Sequence, residues 1–428
     1  MNTNKHHIVI VGGGFGGLWA VRALKQEDVR ITLVDKRNFH LFQPLLYQVA
    51  TGGLSPADIA SPIRGILSNQ KNVSVLLDEM IGIDKEKQEL KLKKSNLSYD
   101  SLIIATGSEN FYFGNDDWMQ NAPGLKSLED ALDIRNKIYK AFEQADCETD
   151  DEKRKRLMTF VIIGGGPTGV ELAGALCEIA KITLRDNFSN IDPADAQIIV
   201  VDGGNEILQE FQPKLRTKAH DSLSKLGAKI LTNTYAQSID EQGVSVKEGV
   251  KTYRIDSANV IWAAGVKPSP VGKMLITDDS QLDKRHRVKV SSELTLPGYD
   301  NIYIIGDLAY SEDAKGNTLP GTAPVAMSQG RYTGKQIIAK LKKQSIKPYK
   351  YHDKGKMAVI GRATAICELG WANFSGFPAW LLWLFIHLMY LVEFDNRLIV
   401  FIQWGWNYMT RNRGARLITY SSDSKENQ

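Results

Sequence analysis

Ile8-Val9-Ile10-Val11-Gly12-Gly13-Gly14-Phe15-Gly16-Gly17-Leu18-Trp19-Ala20 is the stretch whose reading decides the fold. Four apolar, mostly β-branched residues read as a buried strand. Gly12, Gly14 and Gly17 then fit GxGxxG, and the apolar residues from Leu18 to Leu24 continue as a helix. Each glycine has a physical job: a tight turn, room for backbone to approach a pyrophosphate, and close helix–strand packing. The helix start adds free N–H groups and the positive end of its dipole. A second strand, Arg30-Ile31-Thr32-Leu33-Val34, ends at Asp35, 23 residues after Gly12. An acid about 20 residues after the first glycine is the usual partner of ribose hydroxyls. A glycine turn that binds nothing is the bland alternative; strand, helix and acid in one register argue against it.

The pattern recurs 152 residues later. Thr159-Phe160-Val161-Ile162-Ile163 leads into Gly164-Gly165-Gly166-Pro167-Thr168-Gly169 and a second apolar helix. The strand Gln197–Val201 ends at Asp202, with a predicted charged helix extension, Lys181 to Asp195, filling the longer gap. No arginine directly follows Asp202, so the site favours the 2′-hydroxyl of NADH over the 2′-phosphate of NADPH. Two dinucleotides in one chain are useful when one oxidises the other, and the economical pair is a flavin with a nicotinamide, FAD with NADH. The predicted class is therefore α/β, with two Rossmann-like dinucleotide-binding domains.

Composition agrees. The chain has 428 residues, 43% hydrophobic and 24% charged, with mean hydropathy −0.25. That is an ordinary globular balance, against both a disordered chain and a multi-span membrane protein. A net charge of +4 gives no reason to expect a nucleic-acid partner. Cys147, Cys177 and Cys367 make no CxxC or CxxxxC pair, which predicts a reduced, cytosol-facing chain with buried rather than redox-active thiols. The N-terminus shows no signal or transit peptide pattern. Seven histidines show no HExxH or paired spacing, so no metal site is expected.

Further landmarks are Leu102-Ile103-Ile104-Ala105-Thr106-Gly107, Val260-Ile261-Trp262-Ala263-Ala264-Gly265 and Ile302-Tyr303-Ile304-Ile305-Gly306-Asp307. Their order resembles the two-dinucleotide flavoproteins with the glutathione reductase fold; the missing CxxxxC excludes glutathione reductase activity. Phe39-His40-Leu41-Phe42-Gln43-Pro44-Leu45-Leu46-Tyr47-Gln48-Val49-Ala50-Thr51-Gly52 and Gly321–Gly330 narrow the resemblance. They are similar to type II, non-proton-pumping NADH:quinone oxidoreductases, from about residue 6 to residue 418. The resemblance implies FAD on Gly12, Gly14, Phe15, Gly16, Gly17, Asp35, Lys36, Pro44, Ala105, Thr106, Gly107, Gly306, Asp307, Val325 and Ala326. It implies NADH on Gly164, Gly166, Pro167, Thr168, Gly169, Asp202, Ala264 and Gly265. It gives Glu171 a catalytic place near the two rings, against a bland reading as a dipole-complementing acid in the first helical turn. Quinone falls to Gln48, Gln329, Lys354 and Met357, though Lys354-Gly355-Lys356-Met357 equally suits a plain strand. Where many members carry AQxAxQ, this chain has Ala323-Pro324-Val325-Ala326-Met327-Ser328. Either Gln329 substitutes, one place later, or the quinone is held otherwise.

The tail is compositionally distinct: five of the eight tryptophans are Trp371, Trp380, Trp383, Trp404 and Trp406. Phe377–Val392 is apolar for 16 residues with His387 as its only strongly polar side chain, short of the ~20 a spanning helix needs. Glu393, Asp395, Asn396 and Arg397 break it. A second stretch has Leu398, Phe401, Ile402, Tyr408 and Met409 at helical spacing and ends in Arg411, Arg413 and Arg416. This predicts a pair of amphipathic helices lying in the bilayer surface. A homodimer interface or buried core is the alternative. The expected division is 1–115 and 275–345 for FAD, 116–274 for NADH and 346–428 for attachment to the cytoplasmic face of the membrane. Against a quinone reductase stand a sulfide:quinone oxidoreductase, which needs paired cysteines, and a membrane-bound NADH sensor with little turnover.

Overall fold

In the computed structural model, residues 5–345, 347–410 and 413–419 are described. The chain forms two compact units. The first takes residues up to Leu41, Ala60–Glu109 and Val266–Asp353; the second takes Phe42–Ile59, Asn110–Gly265 and the chain from Lys354 onward.

The first unit is built on five parallel strands in the order Ile302–Ile304, Ser101–Ile104, His7–Val11, Arg30–Asp35 and Val73–Leu77. His7–Val11 is buried throughout and pairs on both edges, which is why its sequence is continuously apolar rather than alternating. Helix Phe15–Ala23 crosses helix Ala323–Leu341 closely. A Cβ on Gly330 would lie 2.2 Å from the Gly16 carbonyl oxygen, so only glycine permits that approach.

The second unit has four parallel strands in the order Ala228–Leu231, Gln197–Val201, Thr159–Ile163 and Asn259–Trp262. Helix Leu128–Cys147 starts with a capping box: Ser127 Oγ accepts from the Asp130 N–H, and the Asp130 carboxylate accepts from the Ser127 N–H. The tail contributes three antiparallel strands, Lys356–Gly361, Thr364–Leu369 and Ala372–Gly376, and the helices Phe377–Tyr390 and Phe394–Thr410. These strands belong to the unit's body. A Cβ on Gly174, in helix Pro167–Glu178, would lie 1.7 Å from the Ile360 carbonyl oxygen.

Several expectations change. The contact division falls at Glu109/Asn110 and Gly265/Val266 instead of 115/116 and 274/275. It also joins Phe42–Ile59 and the tail to the nicotinamide-type segment. The predicted charged helix over Lys181–Asp195 is a wide helical turn, Ile179–Thr183, then irregular chain and a short 3-10 turn at Pro193–Asp195. Lys356 and Met357 are on a strand. No helix among the described residues is long and apolar enough to cross a membrane.

Candidate active site

The two glycine loops share one construction. Gly12 and Gly164 have φ of 104° and 118°, where a side chain is strained, and their carbonyl neighbours leave no room for one. A Cβ on Gly17 would meet the Gly12 carbonyl oxygen at 1.8 Å, and one on Gly169 would meet that of Gly164 at 1.9 Å. Gly14 and Gly166 differ: among the described residues, chain neighbours aside, nothing lies within 4 Å of either Cβ position. Both are helix N-caps without a side-chain cap, and neither helix has an acid in its first turn. The first N–H groups of each helix therefore point into an open cradle suited to an anion.

The strand-end acids brace these loops. Asp35 accepts from the Gly13 N–H at 2.5 Å and the Arg37 N–H at 2.7 Å. Burial pushes its pKa up, against these hydrogen bonds and the nearby cations. Asp202 accepts from the Gly165 N–H at 2.6 Å and the Gly204 N–H at 2.7 Å. Each carboxylate has acceptor capacity left for a ribose hydroxyl. The middle glycines are also held through their carbonyls, Gly165 by the Leu208 N–H at 2.8 Å and Gly13 by His40 Nδ1–H at 2.9 Å. His40 is a loop-holding residue that sequence reasoning missed; its only signal was a lone histidine in an apolar segment.

The remaining FAD-type candidates of the first unit fit a polar ligand. Asp307 accepts from Ser108 Oγ at 2.5 Å, and Thr106 Oγ1 is buried with no hydrogen-bond partner among the described residues. Val325 and Ala326 are buried at the start of helix Ala323–Leu341. Phe15 packs edge-on to His40, while Lys36 is exposed. Pro44 belongs to the second unit. Gln329, the proposed substitute for the missing glutamines, is fully buried and used internally. Its Oε1 accepts from the Gly306 N–H at 2.7 Å and its Nε2 donates to Ser311 Oγ at 3.0 Å.

A separate cavity of about 140 Å³ lies within the second unit, lined by Tyr47, Gln48, Glu171, Glu178, Arg362, Trp380, Trp383, Trp404, Tyr408 and Arg413 among others. Glu171 is the fifth residue of helix Pro167–Glu178 and therefore lies beyond the first turn, so the dipole reading fails. It accepts a long 3.4 Å hydrogen bond from the Val359 N–H, and burial pushes its carboxyl up to about 8. Glu178, two turns on along the same helix face, pairs with Arg413 at 3.0 Å. Arg413 also donates to Thr51 Oγ1 at 2.8 Å; predicted to face lipid, it is turned inward. Gln48 Oε1 accepts from Trp404 Nε1 at 2.8 Å, and its Nε2 donates to Tyr47 Oη at 3.1 Å. Of the four quinone candidates only Gln48 lines the cavity; Lys354 Nζ instead donates to Tyr390 Oη at 3.0 Å. Aromatic walls, an amide and a carboxyl protonated at neutral pH suit a flat, uncharged molecule with carbonyl groups.

Glu171 makes stability depend on pH. Its carboxyl titrates near 4.5 when unfolded and near 8 when folded, so the folded state holds the extra proton between those values. Stability therefore falls as pH rises from about 4.5 to about 8. Glu171→Gln is expected to flatten that fall, read as Tm against pH for both proteins; parallel profiles would refute it.

A family model described as pyridine nucleotide-disulphide oxidoreductase matches residues 6–330. The chain is 42% identical to "Type II NADH:quinone oxidoreductase NdhA" of Mycobacterium tuberculosis, over 97% of this chain and 90% of that protein. Its fold is similar to NDH2 from Plasmodium falciparum in complex with NADH, with a TM-score of 0.88, 21% identity and coverage of 97% and 100%. It is also similar in fold to the sulfide:quinone oxidoreductase of Aquifex aeolicus, with a TM-score of 0.71, 16% identity and coverage of 98% and 94%.

Proposed function

The chain belongs to the pyridine nucleotide-disulphide oxidoreductase family and, within it, to the type II NADH:quinone oxidoreductases, and from that premise we propose how its residues divide the work. It passes electrons from NADH through a flavin to a quinone without pumping protons. Bound FAD supplies the redox chemistry, accepting hydride from NADH and giving two electrons to quinone. The first unit holds FAD: the cradle at Gly14 takes the pyrophosphate, Asp35 the ribose, and Thr106 and Asp307 the remaining polar groups. The second unit holds NADH, with the pyrophosphate at Gly166 and the ribose at Asp202. The observation that carries this reading is the pair of matching loops, each with one glycine open to a ligand and its neighbours closed. The test is the visible spectrum. The purified protein is expected to be yellow, to bleach on adding NADH and to recolour on adding quinone; a colourless protein overturns it.

The aromatic cavity takes the quinone ring. Reducing a quinone consumes two protons; the hydride accounts for one, and solvent supplies the other. Glu171, protonated at neutral pH because of its burial, relays that solvent proton: it gives its proton to the quinone oxygen and is reprotonated from solvent. The tail helices rest on the cytoplasmic face of the membrane, from which a lipid-soluble quinone arrives. Leu381, Phe385 and Met389 on one helix and Ile402, Trp406 and Met409 on the other form exposed stripes, with individual exposures between 48% and 81%. A second copy of the chain is the competing occupant of those stripes.

Asp202→Ala is expected to raise the KM for NADH about 10- to 100-fold, the usual worth of a hydrogen bond to a charged group. NADPH use should change much less. Asp202 also braces Gly165 and Gly204, so Asp202→Asn is the control. Equal losses with both nucleotides would make Asp202 a loop brace alone. The sulfide reading lacks chemistry: all three cysteines are free, and burial pushes Cys177 up to about 12 and Cys367 up to about 11. Steady turnover with NADH and a soluble quinone excludes a mere sensor.

A further inference from the structure

A second, polar cleft of about 470 Å³ lies beside the end of the last tail helix, within the second unit. Lys181, Arg185 and Arg416 line it together with Thr183 and Thr410, and among the described residues that line it the one acid is Asp186. Arg185 meets Asp186 only at 3.8 Å, with both side chains largely exposed, so that pair neutralises little. Arg416 is fixed in place. The strand of chain that carries it donates from the Ala415 N–H to the Gly52 carbonyl at 3.2 Å, and Thr419 exchanges hydrogen bonds with Asn136 at 2.7 and 2.9 Å. The Asn187 amide oxygen, once its ends are assigned to satisfy both, accepts from Arg416 at 2.9 Å. The neighbouring Glu178–Arg413 pair satisfies itself and adds no charge.

The cleft's position gives the excess charge a meaning. Thr410, on its rim, is the last residue of helix Phe394–Thr410. The exposed stripe of Ile402, Trp406 and Met409 therefore ends where the cations begin. Apolar side chains followed by a basic cleft match an acyl chain followed by an anionic headgroup. We propose that this cleft seats the phosphate of an anionic phospholipid, adding a specific headgroup contact to the apolar docking of the tail. The inference rests on the membrane-docking reading given above.

The test compares the full-length holoprotein with Arg185→Gln/Arg416→Gln on sedimenting vesicles of phosphatidylcholine alone and with one third phosphatidylglycerol. A cation near an anionic surface is worth about five-fold in partitioning, so the double variant should lose roughly 25-fold on the anionic vesicles. On phosphatidylcholine the two proteins should agree within about two-fold. Flavin content and ferricyanide reduction confirm the fold. A control, Lys153→Gln/Lys155→Gln on the helix Asp151–Leu157, removes the same charge and should change little. Equal loss in the control makes the effect net charge and overturns the seat. Equal binding of wild type to both vesicles overturns the seat and leaves apolar docking standing. No binding to either overturns docking itself. If inorganic phosphate raises the Tm of wild type but not of the variant, and anionic vesicles are not preferred, the cleft binds free phosphate and the lipid assignment falls.

Discussion

Gly14→Val is expected to give a folded but colourless protein. Gly14 has φ of −71° and ψ of −164°, ordinary values for valine. Among the described residues, its chain neighbours aside, nothing lies within 4 Å of its Cβ position, so the first atom of the side chain has room. At an N-cap, valine in place of glycine costs no more than about 1 kcal/mol. What the side chain fills is the cradle in front of the helix N–H groups, the seat proposed above for the FAD pyrophosphate. Flavin content should fall below about a tenth of wild type while the far-ultraviolet circular dichroism stays the same; that loss corresponds to at least about 1.4 kcal/mol of binding. Gly166→Val makes the reciprocal test, keeping the yellow colour and losing reduction by NADH. Gly17→Ala is the contrasting case: its Cβ would lie 1.8 Å from the Gly12 carbonyl oxygen, so it should damage the fold itself. A Gly14→Val protein with full flavin absorbance would move FAD out of the first loop.

The contrast among these glycines shows what a sequence can reveal here. Gly12, Gly14 and Gly17 are equivalent letters in a motif, and their spacing was enough to infer strand, turn and helix because all three act within one local unit. Gly17 is closed locally, by the Gly12 carbonyl, but what closes Gly12 is Ala105, far along the chain. Asp35 and Asp202 were legible as strand-end acids, yet their bonds to Gly13 and Gly165 appear only once the parallel strands align. The cavity was the least legible part. Gln48, Glu171, Arg362 and Trp404 come from four separate segments, and no periodicity links them. Gln329 misled because it is a glutamine near a glutamine motif; only the fold reveals that Gly306 and Ser311 use both ends of its amide. A break in the tail was legible because polar residues interrupt an apolar run, but it lies at Leu391–Glu393, and Asp395, Asn396 and Arg397 fall within the second helix. Of the tail's three strands only the first was legible, as one reading of Lys354–Met357, and what holds it is packing against helix Pro167–Glu178.

That packing also determines how the tail must be tested. Removing everything after Lys350 would strip three strands from the second unit and the tail's share of the cavity wall, so loss of activity would say nothing about membranes. The informative change is to the exposed stripes: Phe385, Phe401, Ile402 and Trp406 are 59–64% exposed and do not line the cavity. Full burial of such a side chain is worth about 1.5–3 kcal/mol, and these four have roughly half of that still to gain. Replacing all four with glutamine should therefore lower vesicle binding at least about 100-fold. Trp383, Leu391 and Val400 remain buried on the inner faces, so FAD, NADH oxidation and reduction of a short-chain quinone in solution should survive. Turnover with a long-chain quinone dissolved in vesicles should collapse, because the cavity no longer sits at the surface from which that substrate arrives. Sedimentation equilibrium without detergent separates the competing occupant. If wild type is a dimer, the variant a monomer, and vesicle binding unchanged between them, the stripes are a subunit interface and the membrane contact lies elsewhere.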